Sequence, residues 1–300
     1  MQLAVIGLGV QGVKRCEVAK DEVCVTVDPL VSSADFQDIR DVPLDLYDAA
    51  CVCTSDQVKL PIILYLLANR KHVLVEKPLL NLNEIELAQI KNTAESSGLA
   101  IYTAYNHRFE PHISTLHEVL LEGILGKIYY ARLFYGNGTA MDIKNSPWKD
   151  QGNGVLYDLG SHLIDLSGFL FEDISGDFKL FSGNKFETTS FDHVLLGCGI
   201  SPFIELEATY LSWRNAFSID VYGELGSAHV EGLCKWGPSK YTLRSRIFPS
   251  GVPTEETRVI RQTDPTWHLE YEHFISLCKV GQNNLENDIW MNTKLKGIGD

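Results

Sequence analysis

The chain has no stretch rich in lysine or arginine. Its 39 acidic residues outnumber 26 basic ones over 300 residues, which gives a formal net charge of −13. Proteins that bind nucleic acid usually concentrate basic residues on one surface, so we expect no nucleic-acid partner. No apolar run reaches the roughly 20 residues that cross a bilayer, and the N-terminal "MQLAVIGLGV" shows no basic leader. We therefore expect a soluble, cytoplasmic protein with no membrane partner.

Cysteines with metal-ligand spacing are also missing. The seven cysteines are odd in number, lie mostly in apolar contexts and form no CxxC pair of the kind that indicates zinc. Cys51 and Cys53 alternate within "AACVCT", a pattern typical of a buried strand. We predict free thiols in a reducing compartment and no metal site.

No long linker, low-complexity tract or repeat interrupts the chain, and its length suggests about two domains. Up to residue 105, five short apolar runs, from "QLAVIG" to "LAIYTAY", alternate with helical patterns. Alternating strands and helices predict a doubly wound parallel sheet, hence an α/β domain over residues 1–105. From residue 106 to residue 300, alternating runs such as "FIELEATYLSW" between glycine turns predict an α+β domain with a mixed or antiparallel sheet.

The segment "GLGVQG" directly follows the first predicted strand and opens a helix. Gly7 permits a tight turn, Gly9 lets the main chain approach a pyrophosphate, and Gly12 allows close packing of helix on strand. The helix N-terminus, with Val10 and Gln11, offers N–H groups to phosphates. This loop predicts a dinucleotide site.

An acid ends the second predicted strand, in "VTVDP". Asp28 can accept hydrogen bonds from both ribose hydroxyls and would repel a 2′-phosphate, and no arginine follows within "PLVSS". NAD is therefore favoured over NADP. These two features leave open an incidental glycine turn or a methyltransferase that binds adenosylmethionine.

The segment "KHVLVEKPLLN" places Glu76 and Lys77 at the carboxyl end of a strand, where open α/β sheets bind their ligands. Pro78 keeps Lys77 extended and ends the strand. A lysine at this point can exchange a proton or hydrogen-bond a substrate hydroxyl. Taken alone, the same dipeptide also fits an exposed turn.

In "GNGVLYDLGSHLIDLSGFLF", Asp158, His162 and Asp165 share one face of a predicted helix that is otherwise apolar. Burying ionisable groups is costly unless they are paired. A structural ion pair explains them as well as a catalytic site does, so this segment alone leaves both open.

Four segments in order, "AVIGLGVQG", "KHVLVEKPL", "YNHRFEPHISTLHEVLLEGILGKI" and "SPWKDQGNGVLYDLGSHLIDL", resemble the glucose-fructose oxidoreductase / inositol dehydrogenase / MocA family. The resemblance covers residues 1 to about 171. It implies a Rossmann domain, then a domain with an open-faced sheet that often forms the interface of a homodimer or homotetramer. It also implies oxidation or reduction of a carbinol carbon in sugars, cyclitols or nucleotide sugars.

By this resemblance, Lys77, Asp158 and His162 match the family's catalytic residues. His162 would take the hydroxyl proton, Asp158 would hydrogen-bond the imidazole or the substrate, and Lys77 would stabilise the developing alkoxide. Which of Lys77 and His162 is the formal acid/base stays open. Asp165, one turn further, is interpreted as structural.

Further residues are assigned to the edges of this site. Thr54, Ser55 and Glu76 join Lys77 on the nicotinamide side of the cofactor. Substrate contacts are predicted for four residues of the second domain: Asn106, Arg108, Trp148 and Lys149. A hinge role for Asn106 and Arg108, and core packing for Trp148, remain alternatives.

The chain departs from the family pattern at two points. "TSDQVK" carries Lys59 where the family usually has a histidine, which puts cofactor packing there in doubt. "GNG", residues 152–154, replaces a more common run of three glycines.

Three functions are compatible with these features. The first is an NAD-dependent dehydrogenase or reductase of a polyhydroxylated compound. The alternatives are an NAD-dependent glycoside hydrolase that oxidises its substrate transiently, and a non-catalytic nucleotide-binding regulator. The complete set of Lys77, Asp158 and His162 argues against a regulator and against a methyltransferase, because neither needs all three.

Overall fold

The computed structural model describes residues 1–146, 149–172 and 174–298. Contacts between Cα atoms divide the chain into two compact units. Unit 1 joins residues 1–106 to residues 267–292, and unit 2 joins residues 107–266 to the residues from 293 onward. Each unit is built on its own sheet.

Unit 1 contains a five-stranded parallel sheet in the order β2-β1-β3-β4-β5, which confirms the predicted doubly wound domain. Three of its strands are buried at every position, as expected when helices cover both faces of a parallel sheet. The strands are β1 (Leu3–Ile6), β2 (Val23–Val27), β3 (Ala49–Val52), β4 (His72–Glu76) and β5 (Ile101–Ala104). The helices after β1, β3 and β4 are α1 (Val10–Ala19), α2 (Asp56–Ala68) and α3 (Glu84–Ser97).

Two C-terminal helices contribute to unit 1, although the sequence placed every residue after 105 in the second domain. They are α7 (Thr266–Val280) and α8 (Leu285–Lys294). The fully buried Glu270 accepts from Arg15 of α1 at 2.8 Å, and Asp288 accepts from the Thr103 hydroxyl of β5 at 2.8 Å. Helical periodicity identifies the apolar face of such helices but not the sheet that this face covers.

Unit 2 contains an eight-stranded mixed sheet in the order β13-β12-β11-β10-β6-β9-β8-β7, which confirms the predicted α+β domain. β6 and β9 pair in parallel, and the other neighbours pair antiparallel. The strands are β6 (Ile128–Gly136), β7 (Lys179–Asn184), β8 (His193–Cys198), β9 (Phe203–Thr209), β10 (Ala216–Gly223), β11 (Gly226–Glu231), β12 (Ser239–Ile247) and β13 (Gly251–Ile260). Its helices are α4 (Pro111–Leu121), α5 (Ala140–Lys144) and α6 (Ser161–Leu170).

The two faces of this sheet differ in what covers them. On one face, buried residues of β6 such as Leu133 and Tyr135 lie beneath α6. On the other face, four rings stack in sequence across the strands, with centroids 6.4, 6.1 and 6.0 Å apart. We call these rings, Phe181, Phe203, Tyr130 and Tyr222, the aromatic row.

Membrane-spanning helices and cysteine pairing were the two features that the sequence analysis used to predict the environment of the protein. In the described part of the chain, no helix has both the length and the apolar character needed to cross a bilayer. All seven cysteines lie in that part, and each carries a free thiol.

Candidate active site

The glycine loop lies between β1 and α1. Gly7 has φ +89°, a conformation that glycine adopts at no steric cost. A Cβ on Gly12 would lie 1.8 Å from the Gly7 carbonyl oxygen, so a side chain at Gly12 would push the helix off the strand. A Cβ on Gly9 would meet nothing within 4 Å, which leaves open space where a phosphate can approach. The adjacent Val10 and Gln11 are exposed.

Asp28 follows β2 and is held by main-chain N–H groups. Leu8 of the glycine loop donates to its Oδ2 at 2.7 Å, and Leu30 and Val31 donate to its Oδ1 at 2.8 and 3.0 Å. Burial raises the pKa of the Asp28 carboxyl, but these three donors outweigh it and lower the pKa below its ordinary value. The half-exposed carboxylate is thus fixed and ionised beside the loop.

Thr54 and Ser55 connect β3 to α2. Thr54 Oγ1 is buried and has no hydrogen-bond partner within the described chain, although buried hydroxyls normally have one. Its methyl group lies 3.3 Å from the Cβ position built on Gly7. An unsatisfied hydroxyl beside the open glycine loop fits the presence of a bound dinucleotide, so the residues present are suited to that cofactor.

The segment Glu76–Pro78 at the end of β4, here called the β4 corner, is fixed from two sides. The Glu76 carboxylate is paired with the buried guanidinium of Arg15 at 2.7 Å. The Lys59 ammonium donates to the carbonyl oxygens of Glu76 and Pro78. Between these anchored residues, Lys77 is half-buried.

Asp158 lies in a π-helical turn, Leu156–Gly160, and His162 lies in the first turn of α6 directly after it. The sequence pattern predicted one uninterrupted α-helix. A π-turn has a wider spiral, occurs often at functional sites, and changes which residues share a face. About one wide turn separates Asp158 from His162.

Rings from three other parts of unit 2 lie beside Asp158 or His162. His107 stacks on His162 with centroids 4.0 Å apart, and the Tyr135 ring of β6 lies 6.0 Å from His162. Tyr210 Oη donates to Asp158 Oδ2 at 3.2 Å. Burial and the Asp158 charge raise the pKa of both phenols, which therefore remain neutral hydrogen-bonding groups.

Lys235 and Trp236 join this cluster from the loop between β11 and β12. Lys235 Nζ lies 3.4 Å from His107 Nε2 and donates to Tyr135 Oη at 3.1 Å. The same ammonium lies 4.6 Å from the centroid of the Trp236 ring. Sequence reasoning missed these two residues along with His107, Tyr135 and Tyr210. The signal available for Lys235 and Trp236 was a lysine–tryptophan pair in the short, glycine-flanked "GLCKWGP".

Arg108 and Asp165 form an ion pair within unit 2. Arg108 Nε donates to Asp165 Oδ2 at 2.9 Å, and Nη2 also contacts this buried carboxylate. The guanidinium predicted to contact substrate is thus engaged with α6. Asn106, predicted beside it, is buried at the end of unit 1.

The chain leading into the π-turn depends on glycine and on a buried acid. Gly154 has φ +48°, and a Cβ there would lie 2.3 Å from the Phe191 carbonyl oxygen, which explains the second glycine of "GNG". Asp150 accepts from the N–H groups of Thr189 and Ser190 at 2.9 and 2.8 Å. Lys149 next to it is exposed, whereas Trp148 lies outside the described residues.

A metal centre was not predicted. In residues 1–146, 149–172 and 174–298, no group of three or more His, Cys, Asp or Glu side chains is arranged to hold an ion.

Two family models match long segments of this chain. A family model described as the oxidoreductase family with an NAD-binding Rossmann fold matches residues 4–105. A second model, for the GFO/IDH/MocA C-terminal domain, matches residues 113–229. The chain belongs to the GFO/IDH/MocA family. The resemblance inferred from the four sequence segments is thereby confirmed.

Two dehydrogenases are similar in sequence to parts of the chain. Glucose-6-phosphate 3-dehydrogenase of Bacillus subtilis (strain 168) is 33% identical over 112 residues, which cover 35% of this chain and 31% of that protein. Trans-1,2-dihydrobenzene-1,2-diol dehydrogenase of Oryctolagus cuniculus is 30% identical over 203 residues, which cover 67% of this chain and 60% of that protein. The chain thus spans at most three fifths of the length of these relatives.

A solved structure extends the likeness over both units. Myo-inositol 2-dehydrogenase from Lactobacillus plantarum matches with a TM-score of 0.77 and 16% identity, over 97% of this chain and 94% of that one. At this identity the likeness concerns the fold, which is that of GFO/IDH/MocA oxidoreductases.

Proposed function

We propose that this GFO/IDH/MocA protein is an NAD-dependent dehydrogenase or reductase that acts on a CH–OH carbon of a sugar, cyclitol or nucleotide sugar. The observation that carries the proposal is that Asp158 accepts from the neutral Tyr210, while His162, four residues later, stacks on His107 and lies 6.0 Å from the Tyr135 ring. A purely structural pair would have no need of the dinucleotide loop on the same chain. The match of residues 4–105 to the NAD-binding Rossmann model supports a dinucleotide site in unit 1.

The proposed chemistry assigns one task to each side chain. When bound, NAD supplies the acceptor for a hydride from the carbinol carbon. His162 takes the hydroxyl proton as this hydride leaves, because imidazole titrates near neutral pH. Asp158, held by Tyr210, stabilises the imidazolium or orients the substrate, and Lys77 stabilises the negative charge that develops on the oxygen. In the reductive direction the same groups return the proton.

The substrate class is supported by relatives that are named as dehydrogenases of hydroxylated compounds. Two of these relatives are a glucose-6-phosphate 3-dehydrogenase and a trans-1,2-dihydrobenzene-1,2-diol dehydrogenase. Rings beside a cation, such as Trp236 and Tyr135 with Lys235, suit the apolar face and hydroxyls of a cyclic polyol. Sugars, cyclitols and nucleotide sugars are therefore the first compounds to screen.

The deciding experiment measures net formation of NADH from NAD and each compound, using the purified protein. Net NADH that rises with substrate supports the dehydrogenase. Release of an aglycone without net NADH would instead identify a glycoside hydrolase with transient oxidation. NAD binding without turnover across the whole screen, in both directions, would contradict the proposal and favour a regulator.

We also propose a homodimer or homotetramer that assembles through the open face of the unit 2 sheet. The aromatic row lies on that face, and Phe181 and Tyr222 are 55% and 43% exposed. Contiguous exposed rings of this kind commonly mark a surface where proteins meet.

The free thiols fit a reducing compartment such as the cytoplasm.

A further inference from the structure

Lys59, near the start of α2, is a buried cation whose contacts all converge on the β4 corner or on its own helix. It is 2% exposed. Its Nζ donates to the carbonyl oxygen of Glu76 at 2.6 Å and to that of Pro78 at 3.0 Å, and it lies 2.6 Å from Asp56 Oδ1. Three oxygens thus match the three hydrogens of an ammonium, which offsets the cost of burying it.

The two carbonyls that Lys59 binds belong to the residues directly before and after Lys77. The main chain is therefore tied down on both sides of that lysine. The side chain of Glu76 is tied down separately, because Arg15 bonds it at 2.7 Å and is itself only 1% exposed. Lys77 is consequently attached to a segment with little freedom to shift.

A second lysine shows what a purely structural version of this contact looks like. Lys71 Nζ donates to the carbonyl oxygens of Leu44 and Tyr47, each at 2.6 Å, just before β4 begins. It therefore ties two carbonyls at the amino end of the strand, whereas Lys59 does so at the carboxyl end, where parallel sheets bind ligands. The chemistry of the two contacts is the same and their location differs.

We propose that Lys59 is a positioning residue for the reaction, and that it sets the place of the Lys77 ammonium by holding the peptide groups on both sides of it. This inference rests on the proposed function of Lys77. Lys59 is too deeply buried to meet substrate, so it acts through the β4 corner. A displacement of about 1 Å in a reacting group can lower a rate roughly a hundredfold.

Replacing Lys59 tests this proposal. Lys59→Met keeps an unbranched side chain that is one atom shorter and removes the three donors. We expect turnover to fall by roughly tenfold to a hundredfold, while the Kd for NAD measured by titration stays close to that of the unmodified protein. Lys59→Arg keeps several donors and should restore most of the turnover. Lys59→His offers a single N–H when neutral and should fall between the two.

Lys71→Met is the matched control, because it loses two contacts of the same kind far from the β4 corner. It should lower the melting temperature but leave turnover per folded molecule near the original value. Equal turnover of Lys59→Met and the unmodified protein, measured well below both melting temperatures, would overturn the proposal. If Lys59→Met does not fold, Lys59→His takes its place, with unchanged turnover again as the overturning result.

A second readout does not depend on finding a substrate. Lysine labelled with carbon-13 at Cε gives an NMR signal for Lys77, assigned by its loss in Lys77→Arg. We expect Lys59→Met to shift or broaden this signal and Lys71→Met to leave it unchanged. An unchanged Lys77 signal in Lys59→Met overturns the positioning role whatever the turnover does. Absence of hydride transfer in the unmodified protein would instead overturn the proposed function alone.

Discussion

At the scale of single residues, Asp28 determines the expected choice between the two nicotinamide cofactors. Its carboxylate is held ionised by the N–H groups of Leu8, Leu30 and Val31. We expect tighter binding of NAD than of NADP, because a fixed negative charge at the ribose repels a 2′-phosphate. Asp28→Asn, which removes the charge and keeps an acceptor oxygen, should narrow this preference in calorimetric titrations.

The control for this prediction is Asp35→Asn. Asp35 accepts from the Thr26 N–H and hydroxyl nearby, so the variant removes a charge from the same region but not from the strand end. It should leave the cofactor preference intact. Comparable Kd values for NAD and NADP in the unmodified protein would count directly against the role of Asp28.

His162 is the residue whose loss should damage chemistry most selectively. We expect His162→Ala to lower turnover about a hundredfold or more, the usual scale for an acid–base group. NAD affinity should stay nearly unchanged, because His162 belongs to unit 2 and the glycine loop belongs to unit 1. Stopped-flow assays and melting curves on the same sample measure both effects.

His112→Ala provides the matched comparison for His162→Ala. His112 is also buried in unit 2, lies 3.3 Å from the Ser239 carbonyl oxygen through Nε2 and stacks on Tyr241. The His112→Ala variant should have a lower melting temperature than the unmodified protein and the same turnover. If His162→Ala behaves in the same way, the histidine on α6 has only a structural role.

At the scale of elements, the helix that carries Asp158 shows where periodicity is informative and where it fails. The apolar spacing predicted a buried helix here, and a largely buried helical segment is present, although Asp158 lies in a π-turn. The π-turn could not be predicted, because it depends on partners distant in sequence. Val155 donates to the Phe191 carbonyl oxygen at 2.8 Å, and Tyr210 bonds Asp158.

Asp150 fastens the segment before this π-turn to the loop at Thr189 and Ser190. Burial raises the pKa of its carboxyl, but the N–H groups of that loop dominate and lower it to about 2. A depressed pKa means that this stabilisation is complete above the unfolded value of about 3.9 and is lost as the pH falls toward 2. At pH 6 the unmodified protein should therefore unfold at a higher urea concentration than the Asp150→Asn variant.

Lowering the pH from 6 to 3 should bring those two urea midpoints closer together, because the unfolded carboxyl takes up its proton before the folded one does. A difference that stays constant over this range, or widens toward pH 3, would mean that Asp150 does not anchor the segment as an ionised group.

α6 also depends on the ion pair between Arg108 and Asp165. Asp165→Ala should lower the free energy of unfolding by about 3 kcal/mol, because removing one partner of a buried pair leaves the other charge unpaired. Arg108 is 22% exposed, which keeps the loss at the lower end of the range for buried pairs. Denaturant titration measures it. A loss below about 1 kcal/mol, the level of exposed pairs, would contradict the structural role.

At the scale of the whole molecule, the aromatic row leads to a prediction about assembly. We expect light scattering to give at least twice the mass of one chain at micromolar concentration. Phe203→Ser combined with Tyr130→Ser should shift the protein toward monomer, because both rings lie in the centre of the row. Leu121→Ser, which changes a 62% exposed apolar residue of α4, is the control and should leave the mass unchanged.

The sequence predicted both sheets, but it did not predict that the C-terminal helices join the unit that contains the first sheet. Alternating strands and helices are local patterns, whereas the attachment of α7 rests on a pairing between Arg15 and Glu270, 255 positions apart. The same limit explains why Lys235 and Tyr210 were missed. Both join the cluster through contacts with residues far away in the sequence, and no spacing along the chain records such contacts.

Because residues 267–292 belong to unit 1, this unit cannot be completed until late in translation. Every strand of the unit 1 sheet has left the ribosome once residue 104 has emerged, yet Glu270 and Asp288 are translated more than 160 residues later. Until then, Arg15 has only Glu76 as a counter-ion, and the Thr103 hydroxyl lacks its carboxylate. Unit 1 is therefore begun first but completed only after residues 107–266 of unit 2, and a ribosome that stops before residue 267 releases a chain whose unit 1 lacks both C-terminal helices, which exposes it to proteases and chaperones.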